Sequence, residues 1–174
     1  MSAEQNKEQV DSKEQLAVIL MGSEGDIEHV KKITKVLKEL GVKYESQICS
    51  ADKTTLDVLK IIDDCEFRTE NIVFIAVAGR ANALGGVLDG NTVLPVVSCP
   101  PIGDKFAEAD LFSSLRKPSG VSGVLIIDPE GAALFVAKMF ALNDSEIEDR
   151  LITYRMASKE KIREANKRLQ ENGL

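Results

Sequence analysis

Four short segments of this 174-residue chain combine small residues with groups that bind anions or move protons. The first is Gly22-Ser23-Glu24-Gly25-Asp26. Its glycines free backbone N–H groups which, with a serine hydroxyl, suit an anion at a helix start. Asp26 reads either as a helix cap or as a ligand for sugar hydroxyls, and a plain turn would use the same residues. The second is Ser50-Ala51-Asp52-Lys53-Thr54. Lys53 there can meet a phosphate as a point charge, or stand in solvent beside a capping threonine. The third, Ala78-Gly79-Arg80-Ala81-Asn82-Ala83-Leu84-Gly85-Gly86, lets backbone approach a ligand closely. Arg80 and Asn82 supply hydrogen bonds in it, although small residues also serve helix–sheet packing. The fourth, Ser98-Cys99-Pro100-Pro101, forms a stiff wall. Cys99 could act as a nucleophile only if a base activated it. The one histidine, His29, falls inside a helix one turn after the first segment, where it could reach the site or simply pack, with packing or surface exposure the plainer reading. Together the segments suit a small, anionic, hydroxylated ligand, a phosphorylated sugar or nucleotide. Neither GxGxxG nor a P-loop occurs.

The elements between these segments have clear periods. Leu16–Met21 is an apolar run stopped by Gly22, as expected of a strand buried on both faces. Ile27, Val30, Ile33, Val36, Leu37 and Leu40 fall at helical spacing, and Gly41 ends that helix. Lys43–Cys49 alternates and predicts a second strand. Thr54 and Thr55 can cap a helix running to about Cys65. Ile72–Ala78 predicts a third strand, Ala81–Leu88 a short helix, and Val93–Cys99 a fourth strand with an irregular start at Pro95. Residues 100–121 are loop-rich, with a helical piece around Phe106–Leu115. Gly123–Ile127 predicts a fifth strand, Pro129 opens a helix to about Leu142, and Ser145 caps a final charged helix spanning 145–170.

This alternation predicts an α/β fold: a three-layer α/β/α sandwich with a parallel sheet, of flavodoxin or Rossmann type, plus a C-terminal helix. Residues 1–14 read as a flexible tail and 15–174 as a single domain. Ligands of such sheets bind beyond the C-terminal ends of the strands, where the four segments fall.

Composition narrows the partners. Lys plus Arg is 22 and Asp plus Glu is 28, a net charge of −6. An acidic chain without tryptophan argues against nucleic acid or an anionic membrane as partner. Three widely spaced cysteines with one histidine support neither a disulfide framework nor a zinc site, and reduced thiols fit a cytoplasmic address. No apolar run approaches the ~20 residues of a membrane span, and the polar, acidic start is unlike a signal or transit peptide.

The same segments resemble the PurE family, the aminoimidazole ribonucleotide (AIR) carboxylases and mutases of purine biosynthesis. The family's first loop reads GS-x-SD and its second SAH-K/R. The Ala78–Gly86 loop resembles the AGR-x-N-x-L-x-G loop of the class II branch, which uses carbon dioxide directly. Gly90-Asn91-Thr92, Ser98–Pro101, Ser113–Gly120 and His29 are similar to that branch too. The likeness spans residues 16–160. Two positions depart from it: Gly25 stands where the family has a second serine, and Asp52 where it has its catalytic histidine.

The resemblance implies reversible carboxylation of AIR to its carboxylated product, CAIR, with no metal, ATP or biotin. It implies that Ser23, the Gly25 N–H and Lys53 hold the phosphate, and that Asp26 holds the ribose. Ser50 and Ala51 would orient the base. Gly79, Arg80, Ala81 and Asn82 would line the carboxylate or carbon dioxide pocket, and Asp52 would move the proton. It also implies a homo-octamer with sites at subunit junctions. Since Asp52 replaces the histidine, a binding or assembly protein without turnover is the alternative. Carboxylation of a nicotinic acid nucleotide is a third reading, and the AGR-x-N loop argues against it.

Overall fold

The structure is a computed structural model that describes residues 13–102 and 109–173. Strand β1, Gln15–Met21, is buried along its whole length. Helix α1, Ile27–Glu39, buries Val30, Ile33, Val36 and Leu37, and Leu40 is buried at its C-cap, whereas Ile27 at its start stays exposed despite the period. Gly41 follows at φ 70°, a conformation that glycine adopts without a Cβ penalty, and the Arg150 guanidinium occupies the space a Cβ would need. Strand β2 is Lys43–Ile48, helix α2 Thr55–Glu66, strand β3 Asn71–Val77 and helix α3 Ala83–Gly90. Strand β4, Val96–Ser98, and strand β5, Val124–Leu125, are short. Helix α4 is Phe112–Leu115, after a 3-10 turn at Ala109–Leu111. Helix α5 is Pro129–Phe140 and helix α6 Ser145–Glu171.

The five strands are all parallel, in the order β2-β1-β3-β4-β5. Successive residues of β1 supply opposite layers, as the two-residue period requires. Ala17, Ile19 and Met21 pack toward α1 and α5, while Leu16, Val18 and Leu20 pack toward α2 and α3. The three-layer expectation therefore holds. Burying each large side chain of these layers, such as Phe74 or Ile33, stabilises by about 1.5–3 kcal/mol.

Several element boundaries differ from expectation for local reasons. Strand β4 starts only after Pro95, which has no N–H to pair but accepts from the Phe74 N–H at 2.9 Å. β2 buries neither face despite its alternation, because it is an edge strand that pairs only with β1. The cap of α6 is Asp144, whose Oδ1 accepts from the N–H groups of Glu146 and Ile147, rather than Ser145. Thr54 holds the N-cap position of α2, but its hydroxyl turns back to Ser50 instead of capping. Of the expected tail, residues 1–12 lie outside the described residues. So does part of the expected helical piece around Phe106–Leu115. Among the described residues no helix is long and apolar enough to cross a membrane.

Candidate active site

The strand order reverses between β1 and β3, the place where open parallel sheets bind ligands. The loops leaving β1, β2 and β3 meet there around a cavity of about 420 Å³. The backbone ties that align them are direct. Gly22 N–H donates to Val77 O and Cys49 N–H to Met21 O, both at 2.9 Å. Ser23, Gly25, Asp26, Ser50, Ala51, Asp52, Lys53, Gly79, Arg80 and Ala81 all line the cavity. Ten of the eleven candidate residues therefore share one hollow.

Each loop has its own bracing. Asp26 is buried, and its Oδ2 accepts from the Ser23 N–H at 3.0 Å and from the Ser23 hydroxyl at 3.1 Å. Asp26 is thus a brace for the first loop. Among the described residues its Oδ1 accepts no hydrogen bond, and it lies near Gly79. In the second loop Ser50 Oγ accepts from the Lys53 N–H at 3.2 Å, and the Ser50 N–H donates to Thr54 Oγ1 at 2.9 Å. That turn leaves Asp52 and Lys53 exposed at the rim. Arg80 is exposed opposite them. Among the described residues neither Lys53 nor Arg80 enters an ion pair with a carboxylate. The hollow thus holds two cations and two carboxylates, Asp26 and Asp52.

Asn82 is the candidate that the structure places elsewhere. It is only 4% exposed and sits behind the cavity wall. Its Nδ2 donates to Ser98 Oγ at 2.8 Å and its Oδ1 accepts from the Gly85 N–H at 3.0 Å. With both ends of the amide engaged, Asn82 caps α3 and lies outside the residues that line the cavity. Gly85 is needed for this arrangement, because a Cβ there would collide with Ser98 Oγ and the Asn82 amide.

His29 packs against Cys99, one of the readings its position left open. Its Nε2 stands 3.4 Å from Cys99 Sγ, although neither lines the cavity. The pair is not an activated nucleophile. Burial pushes the Cys99 thiol up to about 12, with the charge of Asp128 adding to the effect. Burial also lowers His29, helped by the charge of Lys32. Both partners stay neutral near pH 7, so the contact is packing. Ser98, Ser113 and Lys117 lie in segments the sequence marked, but no contact with Asn82 was expected of them, and all three bond to it. Their separations of 16, 31 and 35 residues carry no local signal. Among the described residues no cluster of His, Cys, Asp and Glu could hold a metal ion.

Comparison with known proteins finds similar sequences and a similar structure. The pattern of one family, AIR carboxylase, matches residues 16–161. The phosphoribosylaminoimidazole carboxylase of Archaeoglobus fulgidus is 44% identical over 153 residues, covering 88% of this chain and 84% of that protein. The Treponema denticola protein of the same name is 42% identical over 154 residues, covering 88% and 97%. The crystal structure of Treponema denticola PurE superposes with a TM-score of 0.86 at 41% identity, covering 89% of this chain and 98% of that one.

Proposed function

The chain belongs to the AIR carboxylase family, carboxy-lyases of purine biosynthesis, and on that premise we propose that it converts AIR and carbon dioxide reversibly into CAIR. The observation that carries this reading is the convergence of Ser23, Asp52, Lys53 and Arg80, from three separate loops, on one cavity. A substrate with a phosphate at one end and a new carboxylate at the other needs cations at both. Lys53 and Arg80 are those cations. The Ser23 hydroxyl and the Gly25 N–H complete the phosphate end, and the free Oδ1 of Asp26 accepts from the ribose. Ser50, whose oxygen already accepts from Lys53, keeps its O–H proton for the base, and Ala51 packs beside it. Gly79, Arg80 and Ala81 form the carboxylate wall, with Asn82 as its support.

The reacting carbon is C4 of the aminoimidazole ring. Its enamine electron pair forms the bond to carbon dioxide, leaving C4 with both a proton and a carboxylate. Loss of that proton restores the aromatic ring, and in the reverse direction the proton returns before the carbon–carbon bond breaks. A side chain within reach has to accept and return it. Asp52 is the rim group that fills this role, where the family has histidine. A carboxylate is by its chemistry a weaker base than an imidazole, so turnover is expected to be slower than with a histidine there.

The test is a turnover assay of the purified chain with AIR and bicarbonate, and of the reverse reaction from CAIR. Formation of CAIR that saturates in AIR is expected. Saturable AIR binding with no turnover in either direction would select the binding-protein alternative, which Asp52 favours. Absence of AIR binding would overturn both. The reading includes a homo-octamer, supported by the long exposed part of α6, and a cytoplasmic setting, supported by three free buried cysteines.

A further inference from the structure

Asn82 is gripped on its main chain as well as its side chain, and both of the side chains that do so come from one segment at the end of α4. The Asn82 N–H donates to Ser113 Oγ at 2.9 Å, and Lys117 Nζ donates to Asn82 O at 3.2 Å. Ser113 is itself fixed, its hydroxyl donating to Asp110 O at 2.6 Å. Gly123 gives the Lys117 stem room on its path to the Asn82 carbonyl, because a Cβ there would stand 3.0 Å from Lys117 Cγ. Desolvation along that path lowers the Lys117 pKa, and Asp89 of α3 is the charge that opposes the shift. A lysine ordinarily keeps its head in water. Here it is half-buried and directed at one backbone carbonyl, two residues from Arg80.

We propose that Ser113 and Lys117 are positioning residues for the carboxylate wall. Held at its N–H by Ser113 and at its C=O by Lys117, with the Gly86 N–H also donating to that oxygen at 3.3 Å, the Asn82 backbone is restrained, and Gly79, Arg80 and Ala81 keep their place at the cavity. The kinetic consequence rests on the proposed carboxylation, whereas the structural consequence does not.

The experiment uses the full chain with Lys117→Met, Lys117→Arg and Ser113→Ala. Amide hydrogen exchange across residues 79–83 is followed by mass spectrometry. Losing one hydrogen bond of about 1 kcal/mol predicts roughly fivefold faster exchange there in Lys117→Met and Ser113→Ala, with β1 and β3 unchanged. Lys117→Arg, which keeps a donor, restores protection. In turnover assays the KM for carbon dioxide, supplied as bicarbonate, rises roughly fivefold while the KM for AIR stays within about twofold. Unchanged exchange in both variants overturns the proposal. So does an equal rise in both KM values, which would mean general loosening of the site. A wild-type chain without turnover would defeat the carboxylation reading alone, because the exchange arm still decides the clamp. Should Lys117→Met fail to fold, Ser113→Ala, the smaller change, carries the same test.

Discussion

The Oδ2 atom of Asp26 accepts both the N–H and the hydroxyl of Ser23, so a single carboxylate oxygen closes the first loop while its twin stays open to the cavity. Asp26→Ala removes both functions. The released Ser23 donors lose their fixed direction, and the KM for AIR is expected to rise by roughly 10- to 100-fold with a smaller change in kcat. Asp26→Asn keeps an acceptor for Ser23 and separates bracing from ribose binding. Steady-state kinetics on both variants checks this, and an unaltered KM in Asp26→Ala would remove Asp26 from the substrate site.

Most residues that line the hollow could be picked out in advance because their signals are local. A strand of apolar residues ending at Gly22, or a serine followed by an exposed lysine at residue 53, can be read within a few residues. The sheet order then brings such loops together. What could not be read depends on distance along the chain. Asn82 looks like a ligand-facing amide until Ser98 and the small Gly85 are seen beside it. The His29–Cys99 contact joins residues 70 apart. Strand β2 alternates as a half-buried strand would, yet its edge position leaves it uncovered. At α6 two adjacent residues could both cap, and the carboxylate of Asp144 prevailed over the hydroxyl of Ser145.

Gly25 leaves room for the serine of the family loop. A Cβ there would meet only Ser23 Oγ, at 3.4 Å, with nothing else within 4 Å. Gly25→Ser is therefore expected to fold unchanged. It adds a hydroxyl where the proposed reading puts the phosphate, and a hydrogen bond to a charged group contributes about 1.5 kcal/mol, so the Kd for AIR should drop roughly tenfold. Titration calorimetry with AIR measures this directly. No gain in affinity would place the phosphate away from the first loop.

Asp52 carries the proton in the proposed reaction, so an amide of the same shape should stop it. Asp52→Asn is expected to lower kcat by about 100-fold or more, the usual scale for a general acid–base group. Binding of AIR should tighten slightly, since a negative charge near the phosphate is removed. Pre-steady-state turnover of the variant decides the matter. A kcat within twofold of wild type would show that the proton goes elsewhere.

The burial of His29 makes stability depend on pH with a definite sign, and its contact with Cys99 works against the shift. Burial and Lys32 hold the folded His29 pKa below its ordinary value of ~6.5, so the unfolded chain binds this proton more readily. The stabilisation is present above ~6.5 and is lost as pH falls from there toward the folded pKa. His29→Gln keeps a polar neutral side chain and removes that proton. Between pH 7.5 and 5.5 the urea midpoint of wild type should fall more than that of His29→Gln. Parallel curves would mean that His29 titrates alike in both states.

The apolar stripe of α6 outruns the domain it packs on. Ile147 and Leu151 are buried against the body and Tyr154 is half-buried. Ser158, Ile162, Ala165 and Leu169 continue the same face at intervals of four and three residues, yet everything from Arg155 to Gly173 is exposed. At 1.5 Å per residue the helix is about 40 Å long, so its second half reaches beyond the body. Ile152 and Met156, on an adjacent face, are 49% and 65% exposed. A second copy of the chain is the surface that would cover these residues in a homo-oligomer. Light scattering should give the wild type a mass several times 19.0 kDa. Ile162→Lys with Leu169→Lys should lower that mass while leaving the urea midpoint of the body near its original value, because neither residue contributes to the buried core. A wild-type mass of one chain would assign α6 a role within the monomer alone.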